Sequence, residues 1–169
     1  NATNNFSTLT ITNAQDVTLR DSNAINLATS TITGILTLTA GGNITQSGGS
    51  TLTFPTADFS NPGFNVTLTE ANNDFTNVSF NSDTVDIRDA NGIQFNNTSI
   101  ISNTLNAVAN GTITQGGDLT IGSLATFDAG NNTAGHDILL TDGVNDFASI
   151  RFVNAHAVAV SDINNIILG

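Results

Sequence analysis

The sequence predicts an all-β chain wound as a parallel β-helix of about seven to nine coils, with little or no α-helix. Three observations point there. Apolar residues recur with period two in short runs rich in Thr, Val and Ile, the pattern of half-buried strands. One eleven-residue phrase is written three times, as "VTLRDSNAINL" at 17–27, "VDIRDANGIQF" at 85–95 and "VAVSDINNIIL" at 158–168. Matched positions also step by 19 or 20 residues: Val17 to Leu36, Val66 to Val85, Val85 to Leu105, Ile138 to Val158. That step is too short for a propeller blade. It suits one solenoid coil of about three short strands with turns between them.

The strands follow in chain order: "TLTIT" (8–12), "VTLRD" (17–21), "ILTLTA" (35–40), "NVTLTE" (65–70), "VDIRD" (85–89), "DILLTD" (137–142) and "VAVSD" (158–162). In each, one set of alternate residues faces inward and the Thr-rich set meets water. The expected core is Val17, Leu19, Ile25, Val85, Ile87, Ile93, Val158, Val160 and Ile166, stacked from coil to coil. Burying each such side chain stabilises by roughly 1.5–3 kcal/mol. Between the two strands of each phrase lies a corner. Asp21, Asn23, Asp89, Asn91, Gly92, Asp162 and Asn164 are its expected residues, because Asp and Asn bond nearby backbone and Asn-Gly turns readily. Equivalent corner amides are expected to line up as ladders between coils. The Gly pairs at 41–42, 48–49 and 116–117 read as tight corners, since they lack the Lys and helix of a phosphate cradle.

A longer period encloses the short one. Residues 5–70 align with 73–142, and 145–169 begin a third copy, so 1–169 reads as one repeat segment excised from a longer protein. "GGNITQSGG" (41–49) matches "NGTITQGGD" (110–118), and Phe6 matches Phe75 and Phe147. The short step loses its phase between 44 and 66 and between 115 and 138. The start at "FSTLTIT" and the stop after "IILG" fall inside repeats, so flanking repeats are expected to cover the terminal coils, or two chains to associate end to end.

Composition excludes several function classes. The chain carries 25 Asn and 26 Thr, has no Lys, Cys, Met, Trp or Tyr, and has a formal net charge of -11. Only 10% of residues are charged, against about 25% in an ordinary domain. An acidic surface whose only Lys or Arg residues are Arg20, Arg88 and Arg151 repels nucleic acid and anionic membranes. Without Cys there is no disulfide, thiolate nucleophile or Cys metal site. No apolar run approaches a membrane span, so membrane insertion is not expected.

The strings "LTLTAGGNITQSGG" (36–49), "VTLTEANNDF" (66–75) and "DANGI" (89–93) resemble repeats of very large bacterial surface exoproteins of the filamentous-haemagglutinin type. The resemblance covers nearly the whole chain. It implies a right-handed β-helical stalk with an adhesive or structural role. It also implies export by two-partner secretion or an autotransporter-like route. The place would be the Gram-negative cell surface or the medium, and the partner a surface glycan or protein.

No residue constellation here predicts catalysis, and no catalytic, cofactor or metal residue is assigned. The acidic corners at 20–23, 88–91, 141–146 and 161–165 read as plain turns, with weak Ca²⁺ binding as the alternative, because the calcium nonapeptide and the DxDxDG loop are absent. Asp21, Asp89 and Asp162 could form a carboxylate row on a polysaccharide-binding or polysaccharide-cleaving β-helix. That chemistry needs two carboxylates of unequal acidity, and equivalent repeats offer equal ones. His136 and His156, one coil step apart, lack a third metal ligand. Arg20 and Arg88 are expected to pair with neighbouring carboxylates. Outward Thr ranks suggest an ice-binding solenoid as a second alternative, but "LNAVA" (105–109) interrupts the rank.

Overall fold

The computed structural model describes residues 4–130 and 135–169. Eighteen strands are present among them, every pairing is parallel, and no helix occurs. The strands stack as a β-solenoid of about seven turns. One column shows the winding directly. Ile25 pairs with Ile44, then Val66, Val85, Leu105, Ala125, Ile150 and, through an isolated bridge, Leu168. A second column runs Val17, Leu36, Ala57, Val78, Phe95, Gln115. The chain visits the two columns alternately, half a coil apart.

The unphased stretches are long coils. Ile44 to Val66 takes 22 residues and Ala125 to Ile150 takes 25. In the first, the extra residues go into turns closed by Ser50 N–H to Ser47 C=O (3.1 Å) and Phe64 N–H to Asn61 C=O (3.0 Å). The second includes 131–134, outside the described residues. Elsewhere corners are tight. A Cβ on Gly111 would lie 2.6 Å from the Gly92 nitrogen of the coil beneath, so neither Asn-Gly corner tolerates a side chain there.

Inward residues form one dry core from Ile25 to Ile150. Ile25, Val85, Ile87 and Ile93 are buried as the alternation requires. Val17, Leu19 and Val160 are half-buried and pack against the core. Val158 and Ile166 depart from expectation: they are exposed, at 43% and 37%. They sit on the last coil with nothing stacked beyond them, as do Ile163, Ile167 and Leu168. Phe rings join the layers, with centroids 5.6 Å apart for Phe59–Phe80 and 6.0 Å for Phe95–Phe127. Each such pair adds about 0.5–1.5 kcal/mol beyond burial.

The columns correct the expectation of amide ladders. Val17 lies on the second column, Val85 on the first, and Val158 on the second, above Ile138, Ile113 and Ile93. From Val17 three steps reach Val78, and half a coil more reaches Val85. The long repeat therefore spans three and a half coils. Successive copies of the phrase face opposite sides of the solenoid, so Asn23, Asn91 and Asn164 never stack on one another.

Candidate functional site

The phrase recurs because its Asp and Asn fasten one coil to the next. Asp21 and Asp89 end their strands, Asp162 lies two residues past the strand Val158–Val160, and each turns inward. Asp21 Oδ1 accepts from the Phe6 N–H at 2.9 Å, Asp89 Oδ2 from the Phe75 N–H at 2.5 Å, and Asp162 Oδ1 from the Phe147 N–H at 3.0 Å. Two residues on, the Asn amide donates to the residue just before that Phe. Asn23 reaches Asn5 (2.8 Å), Asn91 reaches Asp74 (3.3 Å) and Asn164 reaches Asp146 (2.9 Å). Asp21 and Asp89 are buried and Asp162 is half-buried. The three carboxylates lie on alternating sides and do not form a row.

Sequence reasoning missed a second fastening. Asn73 and Asn145 are fully buried, and each exchanges two hydrogen bonds with a Gln one coil away. Asn73 Nδ2 donates to Gln46 Oε1 at 2.9 Å, and Gln46 Nε2 returns one to Asn73 Oδ1 at 2.6 Å. Gln115 and Asn145 repeat the exchange. The signal was present: the Gln of "NITQ" and "TITQ" is followed by a buried Asn 27 and 30 residues later. Such amides specify register, because a slipped coil would strand polar groups in the core.

A concavity lies at one corner. A cleft of about 430 Å³ is lined by residues from four coils, among them Asn72, Arg88, Asp89, Asn110 and Asp128. The expected arginine pairs are absent among the described residues, where the one contact between a basic and an acidic side chain is His156 Nδ1 with Asp137 Oδ1, at 2.9 Å. Arg20 and Arg88 are exposed, where water rewards a guanidinium as well as a carboxylate does. The histidines do not converge. His136 Nδ1 lies 3.2 Å from the Ala129 carbonyl while His156 turns to Asp137, and the described residues hold no group of three metal-ligating side chains. The outward Thr rank is two deep, Thr18 and Thr37, before Asp58 and Ser79 interrupt it.

Residues 14–81 and 82–154 each match the family described as "Repeats of unknown function (DUF5649)". The chain belongs to this family. No curated protein and no solved structure matches it. The DUF5649 boundaries fall half a coil out of phase with one another: Ala14 bridges to Ile32 on one side, and Ser82 pairs with Ile101 on another. The DUF5649 repeat is thus a unit that rotates by half a turn each time it is copied. Among the described residues no helix is long and apolar enough to cross a membrane.

Within the second DUF5649 repeat, Asp89 is the group whose acidity departs clearly. Burial pushes its carboxyl from 3.8 to about 6, outweighing the backbone N–H bonds from Phe75 and Asn91, and the nearby Asp74 charge adds to the rise. An unfolded chain loses this proton near 3.8, whereas the folded chain keeps it to about 6. Between those values the folded state binds more protons, so stability is greatest below the unfolded pKa and falls as pH rises through the folded one. The difference is at most ~3 kcal/mol. Urea melts at pH 4 and pH 7 should show that loss, and Asp89→Asn should flatten this contribution. Equal pH dependence in both proteins would contradict the assignment.

Proposed function

We propose that this chain is a non-catalytic stalk segment of a large secreted surface protein of the filamentous-haemagglutinin type. The supporting observation is where the recurring polar residues go. The Asp, Asn and Gln that the repeats share are turned inward or down onto the neighbouring coil, where their side chains bond its backbone or its side chains. A unit that uses its repeated polar groups this way is built to be stacked. In this reading the chain stands outside a Gram-negative cell. Flanking repeats cover its terminal coils, and it holds an adhesive tip away from the surface or offers its own flank to a glycan or protein.

The reading predicts length. Coils stack about 4.8 Å apart, so each added repeat of three and a half coils should lengthen the rod by about 17 Å. Small-angle scattering on chains with one and two further repeats would measure it. Linear growth at constant cross-section is the expected result; a particle that thickens instead would contradict a stalk.

A further inference from the structure

We propose that the corner cleft at Arg88 and Asp128 is a binding subsite for a neutral saccharide unit, held through vicinal hydroxyls. The proposal does not rest on the stalk reading. Its volume of about 430 Å³ lies within the ~300–1,000 Å³ of small-molecule sites. Its chemistry suits hydroxyl pairs. The exposed amides of Asn72 and Asn110 each offer a donor and an acceptor, Asp128 offers carboxylate oxygens, and Arg88 offers a planar fork of donors. Ala71, Val108 and Ala109 give a small apolar floor for C–H groups. Among the described residues Arg88 has no ion-pair partner. The net charge of -11 disfavours an acidic sugar and leaves a neutral one as the fitting class.

The two repeats supply an internal comparison. By register, Arg20 and Asp21 of the first copy correspond to Arg88 and Asp89, and each pairs in parallel with the strand of the next coil. There, however, Thr39, Gly41 and Ser60 stand where the cleft has Val108, Asn110 and Asp128. At Gly41 a Cβ would lie 2.3 Å from the Ser22 carbonyl oxygen, so the first copy has no room for the side chain that the cleft carries as Asn110. Asp128 accepts from the Gly130 N–H at 2.8 Å and from the Asn154 amide of the next coil at 3.3 Å, which holds its carboxylate at the corner where Asn110 and Arg88 line the same concavity.

The test is a nuclear magnetic resonance titration of the whole ¹⁵N-labelled chain with cellobiose and, separately, N,N′-diacetylchitobiose. We expect saturable shifts at the Asn72, Asn110 and Gly130 amides, with half-saturation on the order of millimolar for at least one disaccharide. Arg88→Ala and Asp128→Asn should each weaken binding at least about tenfold, or ~1.4 kcal/mol. Both should keep the fold. Arg88 is exposed, and Asn at 128 keeps an acceptor for the Gly130 N–H that Asp128 binds at 2.8 Å. Arg20→Ala should leave the titration unchanged. The proposal is overturned by no saturable shift from either sugar up to about 100 mM, or by shifts that survive both cleft substitutions.

Discussion

Replacing Ile87 with Asp is expected to cost at least several kcal/mol and to unfold the chain at moderate temperature. Ile87 is fully buried, stacked between Leu68 below and Ala107 above, in the middle of the core column. A carboxylate there has no cation in reach and must either ionise unpaired or take up a proton, and both options are costly. Folded domains are stable by only about 5–15 kcal/mol, so one such change consumes much of the margin. Ile100→Asp is the matched control, because Ile100 is 49% exposed on an outward position. It should shift stability by no more than about 0.5 kcal/mol. Urea melts followed by far-ultraviolet circular dichroism would compare the two. Equal midpoints would refute the inward assignment of Ile87.

How far the fold could be read depended on what a spacing can encode. Period two and the 19–20-residue step depend only on distance along the chain. They placed Ile25, Val85, Ile87 and Ile93 inside and gave the coil. The half-turn of the long repeat is an angle around the axis. It emerges only when the 22- and 25-residue coils are counted through, and those were the stretches without phase. Val158 and Ile166 follow the inward pattern faithfully, but alternation says which way a residue points and not whether a coil lies over it. The phrase's Asp looked like an ordinary turn residue. Its inward bond to Phe75 or Phe147 spans 14 or 15 residues and became visible only with the coils stacked. The cleft at Arg88 draws on four coils separated by roughly one step each, so no local motif announces it.

The second large effect should come from Asn73→Leu, a change to a residue of similar size that is more apolar and still strongly destabilising. Asn73 is fully buried and its side chain makes four hydrogen bonds: two exchanged with Gln46, one accepted by its Oδ1 from the Leu52 N–H at 3.1 Å, and one donated by its Nδ2 to the Leu68 carbonyl at 3.3 Å. Leucine would add apolar burial and leave the Leu52 N–H, the Leu68 carbonyl and the Gln46 amide without these partners. Each stranded group costs about 1–3 kcal/mol, so the sum exceeds what one buried leucine returns, ~1.5–3 kcal/mol. Gln46→Leu alone strands the Asn73 amide and should also destabilise. The double variant removes both ends of the exchange at once and should lose at least about 1 kcal/mol less than the two single losses added together, since contacting partners are not additive. A double-mutant cycle by urea denaturation measures that coupling. Strict additivity would mean that Asn73 and Gln46 act independently, and the paired amide could then no longer be what sets the register between these coils.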